Sequence, residues 1–123
     1  MQLTRILRVD LEGDGVDEVL LAASYSASGD LLPSTAAGDY SLVALRTLVG
    51  GAVQTTIIDQ DIYLTAAEFA APTEFALRGV ADLNGDGTLE VLVDYGYYEG
   101  NGLTVYAVAG SAVTAVLGAG CGA

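Results

Sequence analysis

The chain has 123 residues and a net charge of −12, from 16 acidic side chains against 4 basic ones, all arginine. Nucleic acid and anionic membranes are bound chiefly through Lys and Arg, so this balance excludes both as partners. An apolar fraction of 52% excludes disorder, and the absence of histidine beside a lone cysteine, Cys121, excludes Cys/His zinc sites and any intrachain disulfide.

Taken in order, residues 3–9 read as a first strand, short and apolar around two arginines. An acidic loop comes next, then a second strand over residues 19–25. Residues 26–39, SASGDLLPSTAAGD, are rich in Ser, Gly, Pro and Asp and read as a long loop. Residues 40–48 and 52–58 are the third and fourth strands, joined by Gly50-Gly51, a two-residue hairpin signal. Residues 59–73 form a connector, in which the small-residue run at 65–72 allows a short helical turn or an irregular crossover around residues 66–69, which Pro72 ends. The pattern then recurs: a strand over 75–81, a second acidic loop, a strand over 90–95, and a hairpin loop over 96–102. Strands over 103–109 and 112–117 close the chain, with the Gly-rich segment after 117 left as a frayed end. This organisation divides into a first unit (1–58), a connector (59–73) and a second unit with its Gly-rich tail (74–123). Short strands between turn signals predict an all-β fold.

The acidic loops carry the chemistry. Residues 82–93 read DLNGDGTLEVLV and residues 10–21 read DLEGDGVDEVLL, and the two stretches start 72 residues apart. In each, oxygen-bearing side chains fall at positions one, three, five and nine: Asp10, Glu12, Asp14 and Glu18, then Asp82, Asn84, Asp86 and Glu90. The residue at position seven, Val16 or Thr88, offers a backbone carbonyl. An oxygen-only set of this size suits calcium, which takes six to eight such ligands in irregular geometry, whereas magnesium keeps its waters and a strict octahedron. Glycine at position six, Gly15 and Gly87, permits the sharp turn. An EF-hand would need a bidentate Glu at position twelve and a helix after it. Here position twelve is Leu21 or Val93, and each loop runs directly into a β-branched, apolar stretch, a strand signal.

A loop of the form D-x-[DN]-G-D-G-x-x-E running into a short apolar strand resembles the calcium loop of FG-GAP repeats, also called VCBS or integrin-α-like repeats. The resemblance implies that each unit is one four-stranded antiparallel blade of a β-propeller, with calcium bound between the first two strands. It carries over Asp82, Asn84, Asp86, Thr88 and Glu90 as one ligand set and Asp10, Glu12, Asp14, Val16 and Glu18 as the other, hence two calcium ions. Glu12 departs from the usual Asp or Asn and is expected to weaken its site; Glu at position nine is a milder departure. Two blades cannot close a ring, since propellers have about four to eight. The expectation is therefore completion by oligomerisation or by a larger parent protein, face-to-face packing of the two sheets, or strand addition into a filament.

Tyr95, Tyr97, Tyr98 and Glu99, beside Asp94, form the candidate ligand patch, suited to stacking on sugar rings; the competing reading packs Tyr95 and Tyr97 between blades. Asp59 and Asp61 read as a solvated pair. No nucleophile motif or phosphate-cradling glycine loop is present, so no enzyme activity is expected. No signal peptide and no run of eighteen apolar residues is visible. The reading is an extracellular or cell-surface, bacterially secreted calcium-binding β-repeat module for adhesion, binding protein or glycan. Its alternatives are a self-assembling subunit of a surface filament or ring, and an accessory domain of a secreted enzyme. Cys121 reads as an unpaired thiol or an intermolecular disulfide partner.

Overall fold

A computed structural model describes residues 1–29 and 32–122. It is all-β, and among the described residues there is no helix, so none is long and apolar enough to cross a membrane. Eight strands form in chain order: β1 (Leu3–Val9), β2 (Glu18–Tyr25), β3 (Tyr40–Val49), β4 (Ala52–Ile62), β5 (Glu74–Ala81), β6 (Glu90–Tyr97), β7 (Gly100–Ala109) and β8 (Ala112–Gly122). They make two antiparallel meanders, β1-β2-β3-β4 and β5-β6-β7-β8, and neither closes into a barrel.

Several strands outrun what the sequence suggests. β4 continues to Ile62, because Asp59, Gln60, Asp61 and Ile62 pair with Val43, Leu42, Ser41 and Tyr40. The Gly-rich end does not fray: β8 runs to Gly122, with Gly118, Gly120 and Gly122 opposite Thr104, Gly102 and Gly100. The hairpin loop expected over 96–102 shrinks to the two residues between Tyr97 and Gly100, which pair. Of the two readings of the connector, the irregular crossover forms and the helical turn does not. Ala67 commits both its amide and its carbonyl to Thr35, and Ala71 donates to the Pro33 carbonyl. The connector thereby pairs with the loop over 26–39, of which residues 30 and 31 lie outside the described residues.

The sheets pack face to face over one core. Sheet one contributes Leu20, Ala22, Val43 and Leu45, sheet two contributes Leu77, Val91, Val93, Tyr106 and Val108, and Leu11 from the first acidic loop plugs one end. Alternation along a strand sends successive side chains to opposite faces, so each core row has period two. Polar ties stitch the same interface. Arg5 on β1 donates to the carbonyls of Leu77 (2.8 Å) and Arg78 (2.6 Å) on β5, where the pairing register shifts between Leu77 and Gly79. Ser41 accepts from the Phe75 amide at 2.7 Å, and Thr56 donates to the Ser111 carbonyl at 2.9 Å.

The pair expected to be solvated is divided by the fold. Asp61 accepts from the Thr73 amide at 2.8 Å and the Tyr63 hydroxyl at 3.1 Å. Asp59 is half-buried on β4 and accepts from the Tyr106 hydroxyl across the interface. Burial pushes the Asp59 carboxyl above the usual 3.8, against the Tyr106 hydrogen bond that lowers it, and the Tyr106 phenol is driven up by burial and by that carboxylate. A raised folded-state value means that the Asp59 contribution is fully present below 3.8 and is lost as pH rises through the raised value. Tyr106→Phe removes the one contact that favours the charged form and leaves a desolvated carboxylate unpaired. The variant is expected to cost about 1–3 kcal/mol at neutral pH. Its deficit should shrink toward about pH 4 as the carboxyl is protonated, read as the difference between wild-type and variant urea midpoints at the two pH values.

Candidate metal centre

The two acidic loops fold alike, bond for bond. Asp10 at position one accepts on Oδ1 from the amides of Gly13 (2.7 Å) and Asp14 (3.1 Å), and on Oδ2 from Gly15 (2.8 Å). Asp82 does the same with Gly85 (2.7 Å), Asp86 (3.2 Å) and Gly87 (3.0 Å). Asp14 and Asp86 each accept from the amide at position seven, Val16 or Thr88, at 2.9 Å. Glu18 and Glu90 each reach back to the amide at position two, Leu11 or Leu83, at 2.8 Å. Wrapping a loop this tightly around one carboxylate requires left-handed backbone at positions four and six, and the chain has glycine there: Gly13 and Gly15 at φ 70° and 86°, Gly85 and Gly87 at 77° and 89°.

The electrostatics arise from these contacts. The Gly15 amide, helped by those of Asp14 and Gly13, holds Asp10 below the ordinary carboxylate value. The Thr88 hydroxyl and amide do likewise for Asp86. Glu18 is buried and is pushed up, first by desolvation and then by the charges of Asp14, Glu12 and Asp10, although the Leu11 amide pulls the other way. In the first loop the carboxylates therefore crowd Glu18 with negative charge that the Leu11 amide offsets only in part.

The loops also differ. Asn84 stays inside its loop, accepting from the Asp86 amide at 3.0 Å and donating to Glu90 at 3.3 Å. Glu12 leaves its loop, and its carboxylate accepts from the Gly110 amide in the β7–β8 turn of the other sheet. No sequence signal announces that, because Gly110 is remote in the chain. The loops lie against each other: the Leu89 amide donates to the Leu11 carbonyl at 2.8 Å, and a Cβ on Gly13 would stand 3.6 Å from the Gly87 carbonyl oxygen.

The donor set suits a hard cation. It is all oxygen, it comes from single nine-residue loops, and an ionised carboxylate has about four lone-pair sites. Asp14 spends one of these on Val16. Among the described residues, however, no three His, Cys, Asp or Glu side chains stand in metal-holding proximity. Binding would need the side-chain oxygens at positions three, five and nine to converge, and the second loop, which keeps Asn84 within it, is better disposed for that than the first.

Tyr95 and Tyr97 occupy a different place. They continue the core face of β6 past Val91 and Val93 and lie over glycines of β7 and β8. A Cβ on Gly120 would collide with the Tyr95 hydroxyl, and one on Gly122 would fall 2.5 Å from that of Tyr97. The alternate glycines are thus the floor on which the two rings rest, a role that sequence reading missed although the period-two spacing of Gly118, Gly120 and Gly122 was there to see. Tyr98 and Glu99 form the turn, with Tyr98 edge-on to Tyr97 at 6.5 Å.

A cavity of about 270 Å³ opens at the strand ends remote from the acidic loops, near Tyr25, Tyr40 and Tyr63. Its polar groups serve the fold: Asp39 takes the amides of Ala27 and Ala36, and Tyr63 donates to Asp61. Searched against family models, curated proteins and solved structures, the chain matches none. Gly120→Val, which drives a branched side chain into the Tyr95 ring, is expected to destabilise by about 1–3 kcal/mol. Thermal unfolding against a Gly51→Asn control in the open β3–β4 turn measures it.

Proposed function

We propose that the chain is a calcium-binding β-repeat module of the FG-GAP/VCBS kind, each four-stranded sheet being one blade, that serves interaction rather than catalysis on the outside of the cell. The observation that carries this reading is the matched hydrogen-bond scheme of the two acidic loops. Two loops 72 residues apart curl identically around an aspartate and present only oxygen donors at the positions that the resemblance assigns to metal. The acids at positions one, five and nine hold the loop's own amides in both copies, and their remaining lone pairs are what a hard cation would use.

The residues that would hold the ion are Asp82, Asn84, Asp86, Glu90 and the Thr88 carbonyl, and Asp10, Asp14, Glu18 and the Val16 carbonyl in the other loop. Glu12 joins that second set only by giving up Gly110. When bound, calcium supplies positive charge that neutralises the crowded carboxylates and rigidifies the loop. Asp10 and Asp82 set the curl of the backbone through their amide contacts, and Glu18 and Glu90 fasten the loop exit to its entrance. The geometry of these loops governs how the strands they join are held, and through Leu11 how one sheet seats on the other.

Extracellular sites of this type bind at roughly 10⁻⁴–10⁻³ M. At about 2 mM calcium each would add roughly 0.6–1.8 kcal/mol. Thermal unfolding in calcium and in EGTA tests the reading. The melting temperature is expected to fall on chelation and the fall to be roughly halved in Asp86→Ala, which removes one site. Identical melting in calcium and EGTA, after the protein has been unfolded and refolded in chelator, would refute it.

A further inference from the structure

The two sheets do not meet through the same face. In sheet one the core row on β2 is Leu20 and Ala22; in sheet two the core row on β6 is Val91 and Val93. Counted from the acidic loops, the counterparts of Leu20 and Ala22 are Leu92 and Asp94, which point away from the core, and those of Val91 and Val93 are Val19 and Leu21, which also point away. One sheet offers its first face and the other its second. Contact of this kind is heterologous, and it leaves the same two faces open at the outer sides of the molecule.

Each open face carries apolar residues where its counterpart is buried. Leu77 on β5 is 4% exposed against sheet one, while Ile6, at the matching position on β1, is 58% exposed. Val108 is 8% exposed and its counterpart Leu48 is 54% exposed, with Val53 beside it matching the core-packed Val113. On the other outer side, Leu11 is fully buried while Leu83 is 54% exposed, and Leu92, Leu103 and Leu117 extend that patch across the sheet. After pairing within each face, one opposite charge is left on each, Arg46 against Glu74. The outer face of sheet one presents Arg46 and Arg8, the latter bridged to Asp17 at the loop edge, whereas the outer face of sheet two carries Asp94, paired with Arg78 at 3.1 Å, and Glu74. A four-stranded face of eight-residue strands measures about 19 by 27 Å, roughly 500 Å² per side. Joining two such faces buries about 1,000 Å², the lower bound for a specific interface. Each face, at roughly 500 Å², is at the upper end of the apolar patch that a monomer leaves bare.

We propose that the outer face of sheet one binds the outer face of sheet two of a second copy, so that copies add head to tail and repeat between molecules the packing found within each. The proposal does not depend on the metal reading, since it rests on the sheet faces alone. An edge-to-edge association through β4 or β8 would use backbone groups and ignore these side chains.

Analytical ultracentrifugation of the whole chain from about 5 to 500 μM, with Ile6→Asp and Leu117→Asp variants, tests it. Wild type is expected to grow in mass with concentration. Each variant alone keeps one good face and is expected to stay monomeric. Mixed one to one, they are expected to give a heterodimer through the two intact faces and nothing larger. Both side chains are exposed, so circular dichroism should match wild type; Val53→Asp and Leu83→Asp, on the same two faces, replace either variant that does not fold. A wild-type chain that stays monomeric at 500 μM overturns the proposal, and so do variants that associate as wild type does or fail to complement.

Discussion

A β-strand has two sides, and in this protein both are apolar. β2 reads EVLLAASY, so that Leu20 and Ala22 on one side are matched by Val19 and Leu21 on the other. β6 reads EVLVDYGY, with Val91 and Val93 against Leu92. Near-continuous apolar runs of this kind belong to sheets that are covered twice. Sheet-on-sheet packing satisfies one side of each meander, and the features that fix the relative placement of the two sheets gather at that shared side: Arg5 on the β5 carbonyls, Asp59 under Tyr106, Ser41 on Phe75 and Leu11 in the core. The other side of each sheet is left facing outward with its leucines and isoleucines, and the architecture cannot be understood without asking what that side is for.

The acidic loops belong to the same scheme. They stand side by side at one end of the two sheets and exchange a backbone hydrogen bond, so any change in the curl of one is felt by the other. Glu12 makes the coupling explicit by capping a turn of the opposite sheet. A side chain one methylene longer than the aspartate expected there can reach across to the Gly110 amide and serve as a tether. The first loop is thereby more a structural joint and the second more a self-contained ring of oxygen donors.

Much of this was legible in the residues. Eight strands, their order, the glycine turns and the nine-residue spacing of both loops come from alternation, turn chemistry and repetition, which are local properties. The misreadings share a cause. The glycines at 118, 120 and 122 look like a frayed end because glycine lowers strand propensity; at Gly120 and Gly122 the Tyr95 and Tyr97 rings supply the missing side-chain cover from β6, across β7. Residues 65–71 look helical by composition, but Thr35 and Pro33 claim backbone groups that a helix would need. Asp59 looks solvated because no partner for a carboxylate stands near it in the chain; Tyr106, far along the chain, supplies one.

By itself, then, the sequence determined the all-β character, the two four-stranded units and the position of the acidic loops, because each rests on neighbours within a few residues. Only the tertiary structure decided which face of each sheet is buried, that Glu12 serves Gly110, that the tyrosines lie on glycine, and that Asp59 is held by a phenol. Those outcomes depend on which of two nearly equivalent apolar faces meets the other sheet, and no pattern of period two can choose between faces that are both hydrophobic.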